Sequence, residues 1–240
     1  MNSLIRDEFE SRILEVDKYF DFIERIDNGY QLLNDFEKET FIIDDDLLKI
    51  LKANSFLILY NLIESTILNC IVGIFDEIKT ENLSYKDVTQ SIKIYWSKNI
   101  YRFDEKIKED RLIREKFYNI VERIISDIAL EISDRIEYGG SIDAKKIHKI
   151  AKDLEIVFPL NHYKENLHGK VFSDIKKNRN DLAHGKKSFS DIGKNVTYTG
   201  NEMIKQLGLK HFKNYTIEHL GVFISSVEKY LINKSYKNIG

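Results

Sequence analysis

The chain has 240 residues, 42% of them hydrophobic and 32% charged, with a formal net charge of −2. That balance excludes a disordered chain and is long enough to bury a real core. One proline and eleven glycines are too few for the turns of a sheet protein, so the expected fold class is all-α.

From Leu4 onward, Ile5, Phe9, Ile13, Val16, Phe20 and Ile23 recur at steps of three and four, the pattern of a one-faced amphipathic helix. Asn28-Gly29 is a common helix stop. Asp44-Asp45-Asp46 then caps a second helix over residues 47–79, because carboxylates favour the positive end of the helix dipole. This helix is apolar on nearly every side and is expected at the centre of the bundle. Its stretch from Phe56 to Phe75 raises the question of a membrane span, yet it carries Asn61, Glu64, Ser65 and Asn69. An ionised carboxylate near a bilayer centre is costly, so a buried helix and no membrane contact are expected. Cys70 lies in the same stretch as the sole cysteine. It excludes an intrachain disulfide or a cysteine-based zinc site and reads as a small buried side chain.

Ser84-x-x-Asp87 resembles a capping box opening a third helix. A periodic stretch follows over residues 104–136, ending near Tyr138-Gly139-Gly140. Ser141 or Asp143 starts a short helix with Ile147 and Ile150 on its face, and Pro159 breaks the pattern after it. Residues 169–183 form the next helix, followed by a loop containing Ser188 and Gly193. Thr199-x-x-Glu202 reads as a capping box for a short helix, and a last long helix spans 211–233. Four long helices with several short ones fit a four-helix bundle with insertions. Residues 1–46 are expected as an acidic helical segment packed on a core domain of 47–240. The opening residues, with Asp7, Glu8 and Glu10, lack the order of a signal peptide, which makes the cytoplasm the expected location.

Charge is unevenly spread. Residues 1–46 hold fourteen acids against five bases, whereas residues 170–187 hold six bases against two acids. Phosphate is drawn to the second region, where Lys176, Lys177, Lys186 and Lys187 are candidate RNA contacts, and repelled by the first. Both regions also read as solvated helix faces. The histidines show no zinc-helix spacing; His162 and His168 fall in a polar loop, and His211 and His219 are expected at the surface. Gly-rich phosphate loops, G-x-S-x-G and dinucleotide fingerprints are missing, and no cofactor or metal is expected. Glu64, on the apolar helix, is read as buried and in need of a partner, either structural or within a site.

The run Lys177-Asn178-Arg179-Asn180-Asp181-Leu182-Ala183-His184-Gly185 carries the remaining chemistry. It admits a purely structural reading, a C-terminal histidine on the helix dipole followed by a left-handed glycine. It also admits a functional one. Five residues turn a helix by roughly 500°, so Arg179 and His184 point roughly 140° apart. They meet only if the helix end unwinds or if two copies pack antiparallel across a two-fold axis. Asn180, four residues before His184, shares its face.

This run resembles the signature of the HEPN superfamily (higher eukaryotes and prokaryotes nucleotide-binding), an Arg followed after four to six residues by His. Ser188-Phe189, Gly193 and the Thr199 cap resemble the RiboL-PSP-type branch, as do Tyr60-Asn61-Leu62-Ile63-Glu64-Ser65 and Gly140-Ser141-Ile142-Asp143. The resemblance spans about residues 47–235; the N-terminal helix is matched to nothing. It implies a helical bundle that dimerises through the signature helices, as a homodimer or as a heterodimer with a related chain. It further implies a metal-independent endoribonuclease cutting RNA through its 2′-OH, acting as a toxin or antiviral effector with an antitoxin protein as a further partner. Arg179, His184 and Asn180 would be its catalytic residues, with Glu64 and Asp181 in support. A non-catalytic HEPN module binding RNA or protein is the alternative. The branch silenced by nucleotidylation carries Tyr two residues after the His; here that position is Lys186.

Overall fold

The computed structural model describes residues 2–29, 31–34, 39–41, 43–100, 110–132, 141–159, 167–203 and 206–238. Helix α1 (Asn2–Asp27) buries Ile5, Phe9, Val16, Phe20, Ile23 and Ile26, the stripe its apolar spacing marks out. After it, β1 (Leu32–Asn34) and β2 (Glu39–Phe41) form a short antiparallel ribbon. Helix α2 (Asp45–Thr80) begins at Asp44, whose carboxylate accepts from the Leu47 N–H at 2.8 Å. It packs against α1 and three later helices, α6 (Leu167–Ala183), α7 (Phe189–Gly193) and α8 (Leu209–Ile232). The all-α architecture and the central place of α2 are as expected.

The four-helix core is built from α1, α2, α6 and α8, which pack on one another. Bidentate Arg6–Glu228 (2.6 Å) and Lys213–Asp17 (2.7 Å) tie α1 to α8, and Lys52–Asp27 ties it to α2. By length and composition α2 would cross a membrane, but 56% of its most apolar window is buried within the fold. Cys70 is fully buried there, and burial pushes its thiol pKa up.

Several local expectations are corrected. The Asp87 carboxylate accepts from the Ser84 N–H, one half of a capping box, but the Ser84 hydroxyl also donates to that carboxylate and the Asp87 N–H donates to the Ser84 carbonyl, so these bonds close a turn. Helix α3 (Gln90–Ile100) starts later because Val88 is drawn into an antiparallel bridge with Lys237, and Thr89 N–H donates to the Tyr236 carbonyl. Helix α4 (Asp110–Ile125) ends sooner than its periodicity; residues 104–109 and 133–136 of the expected stretch lie outside the described residues. Beyond Asp127, at φ +55°, the Leu130 N–H donates to Leu83 O and the Glu131 carbonyl accepts from Trp96 Nε1, so tertiary bonds replace helical ones. The expected stop at Tyr138-Gly139-Gly140 lies outside the described residues.

Helix α5 (Ala144–Asp153) is capped by Asp143 and buries Ile147 and Ile150, as expected, but it ends before Pro159 through Glu155 at φ +57°. The loop expected around Ser188 is instead α7, with the Ser188 hydroxyl accepting from Asp191 N–H at 3.0 Å. Gly193 lets α7 rest directly on α2: a Cβ there would sit 1.9 Å from the Lys49 carbonyl oxygen. No helix opens at Thr199 among the described residues. The chain forms a hairpin of β3 (Gly200–Asn201) and β4 (Gln206–Leu207), which Gly200 at φ +88° and the close approach of Gly208 make sterically feasible. In α8, His211 Nδ1 accepts from Gly208 N–H at 3.3 Å, so the helix begins two residues earlier than predicted. His219 is fully buried among the rings of Phe158, Phe172 and His148, not at the surface. His168 falls within α6 and not in a loop; His162 lies outside the described residues.

Candidate functional site

Phe172 and Ile175 fix the buried face of α6 against the core, and Val171 deepens it. Arg179 follows one turn after Ile175, at the edge of that face, with 30% of its side chain exposed. Its guanidinium lies over the Tyr60 ring, 4.4 Å from the centroid, and 3.8 Å from a Glu64 oxygen. Tyr60 and Glu64 are four apart on α2, so one turn of that helix presents an aromatic face and a carboxylate together.

Asn180 completes the setting. Its Oδ1 accepts from Arg179 Nη1 at 3.0 Å and from the Ser141 hydroxyl at 3.1 Å. The next residue, Ile142, donates its buried N–H to the Tyr60 hydroxyl at 2.9 Å. Burial and the neighbouring Glu64 carboxylate raise the Tyr60 hydroxyl pKa, although the bond from Ile142 pulls it the other way. Arg179 is therefore held by α2, by the segment before α5 and by its own helix. Two tracts quoted for their resemblance, 60–65 and the described residues 141–143, converge on it. Asn180, expected on the face of His184, turns its amide oxygen to Arg179 and Ser141. Glu64 is half-exposed, at 43%, and not the buried carboxylate expected.

The end of α6 is a complete Schellman motif. Gly185 N–H donates to Leu182 O at 3.1 Å and Lys186 N–H to Asp181 O at 2.8 Å, with Gly185 at φ +62°. His184 N–H still donates to Asn180 O at 3.0 Å. The helix does not unwind, so one of the two routes to a meeting of Arg179 and His184 is closed. His184 is exposed, on the same side of α6 as the exposed Ser173 and Lys177.

The surrounding charges are partly engaged. Lys176 Nζ bonds Asp143 at 2.8 Å, tying α6 to the start of α5. Burial pushes the Asp143 carboxyl pKa up, but Lys176 and the Lys146 N–H outweigh this and hold it below its ordinary value. Asp181 lies 3.8 Å from Lys177 and 3.9 Å from Lys187. Lys186 is exposed and makes no ion pair among the described residues. Among those residues no group of three or more His, Cys, Asp or Glu side chains is gathered for a metal.

Residues 1–236 match the family model described as HEPN_MAE_28990-like HEPN. The chain belongs to the HEPN superfamily. No curated protein and no solved structure matches it. The superfamily resembled by the motifs is thereby borne out, and the branch that the match names is the MAE_28990-like one. The HEPN match starts at the first residue, so it includes α1, which the motifs alone had tied to nothing.

Proposed function

We propose that this HEPN protein is a metal-independent endoribonuclease whose active centre combines Arg179 and His184 across a two-fold dimer. The observation that carries this reading is the contrast between the two side chains. Arg179 is oriented by Tyr60, Glu64 and Asn180, whereas His184 projects, exposed, from a rigidly capped helix end. A preorganised cation and an exposed imidazole, brought together from two chains, are the pair that phosphodiester cleavage needs.

RNA brings its own nucleophile. His184 takes the 2′-OH proton as the 2′ oxygen bonds to phosphorus, and the bond to the 5′ oxygen breaks, that oxygen gaining a proton from solvent. Arg179 neutralises the charge gathering on the non-bridging oxygens. The products are a 2′,3′-cyclic phosphate and a 5′-hydroxyl. Lys177, Lys186 and Lys187 would guide the backbone, while Lys176, already bonded to Asp143, contributes charge from a fixed position. The setting that goes with such chemistry is a cytoplasmic toxin or antiviral effector, restrained by a partner protein.

With the helix end closed, a second copy must supply the complementary residue. Mixing Arg179→Ala with His184→Ala protein tests this. Random exchange makes half the dimers mixed, each with one intact composite site, so about a quarter of wild-type cleavage returns. Two variants that stay inactive when mixed, although they exchange subunits, would contradict the shared site.

A further inference from the structure

Beside the signature, on another face of α6, lies a pocket of about 270 Å³ that the chemistry above does not use. It is just under the roughly 300–1,000 Å³ of small-molecule sites. Asp174 and Asn178, one turn apart, line it from α6 together with Lys170, and Lys187 lines it from beyond that helix. Phe56 and Phe212, packed edge to face at 5.4 Å, contribute apolar wall together with Val196 and Leu207. Asp174 is half-buried and has no hydrogen bond or ion pair among the described residues, although Lys170 and Lys177 lie close enough to act on its charge. A carboxylate so placed is short of donors.

We propose that this pocket binds one unpaired guanine of an RNA strand whose backbone passes Arg179 and His184, with Asp174 reading the base. The inference rests on the ribonuclease reading for the path of the strand. An ionised carboxylate only accepts hydrogen bonds, and guanine alone among the four bases offers two adjacent donors, N1–H and N2–H, on one edge. The Asn178 amide supplies both a donor and an acceptor to a neighbouring position. The apolar wall takes the base plane, and Lys170 and Lys187 take flanking phosphates, the usual division of labour in single-strand RNA recognition. Lys187 also ties the two features together, since it lines the pocket and follows His184 by three residues.

The test is binding, measured apart from cleavage. Fully 2′-O-methylated single strands of uridine carrying one central G, A or C lack the nucleophile and stay intact. Fluorescence anisotropy on the full-length wild type should show the G strand bound about tenfold more tightly than the others, as one bidentate contact allows. Asp174→Asn should erase that preference by weakening the G strand alone, with the A strand bound no more weakly than by wild type. Burial raises the Asp174 carboxyl pKa, so this variant removes a charge the fold disfavours and should melt no lower than wild type at neutral pH. Equal affinity for all strands, or a G preference that survives in Asp174→Asn, overturns the proposal. So does a switch to monomer in Asp174→Asn, which would assign the pocket to a second copy of the chain. A G preference lost in Asp174→Asn, in a protein that cuts no RNA, would uphold the pocket and remove only the nuclease.

Discussion

Tyr60→Phe removes one oxygen from the support of Arg179 and keeps the ring beneath it. The Tyr60 hydroxyl accepts the Ile142 N–H at 2.9 Å, with Tyr60 2% and Ile142 0% exposed. Its loss leaves a buried backbone donor without an acceptor, which costs about 1–3 kcal/mol. At about 2–4 °C per kcal/mol for a chain of this size, a loss of about 2 kcal/mol lowers Tm by about 4–8 °C. Differential scanning calorimetry reads this directly. Tyr60→Leu adds the loss of the ring 4.4 Å from the guanidinium, so cleavage should fall further in that variant than in Tyr60→Phe. A Tyr60→Phe melting point within about 1 °C of wild type would refute the hydrogen-bond argument. Equal loss of cleavage in both variants would refute the role of the ring.

Gly193→Ala forces a methyl group to within 1.9 Å of the Lys49 carbonyl oxygen, so α7 must lift from α2. Urea titration should show a loss of about 3 kcal/mol or more. Glu64→Gln removes a half-exposed charge 3.8 Å from Arg179; stability should change by less than about 1 kcal/mol, while the KM for RNA falls because phosphate no longer competes with the carboxylate. The bonds from Lys234 and Lys237 hold the Glu81 carboxyl below its ordinary value. A depressed folded pKa gives stability that is present above the unfolded value and is lost as pH falls through the folded one. Denaturant titrations over an acid pH series should therefore show a shallower decline in Glu81→Gln than in wild type.

The long helices were legible because their burial follows their own periodicity. Ile5 to Ile23 in α1 and the all-round apolar α2 need no knowledge of their neighbours, and Asp44 and Asp143 cap where their spacing says. Ser84-x-x-Asp87 and Thr199-x-x-Glu202 misled because a local capping pattern competes with distant partners. Val88 pairs with Lys237, and the Gly200 and Gly208 backbones need each other. His219 is polar by type and buried because three rings from other elements surround it.

The site divides in the same way. Arg179, Asn180 and His184 stand out as a motif, and the Schellman end could be read from Gly185 alone. The grip on Arg179 could not, because it depends on α2 and the 141–143 segment meeting α6. The Tyr60-to-Glu64 spacing hinted at it, but the partner of that pair is visible only in three dimensions. Asp174 gave no signal, since a lone acid within a helix is usually solvated, and only the hairpin and α7 close a pocket over it.

The most direct test of the central claim is cleavage of total cellular RNA in EDTA by wild type, Arg179→Ala and His184→Ala, with product ends mapped. The account predicts 2′,3′-cyclic phosphate and 5′-hydroxyl ends from wild type, and intact RNA from either variant. A folded, dimeric wild type that leaves the RNA whole, or a His184→Ala protein that cuts as well as wild type, would contradict it.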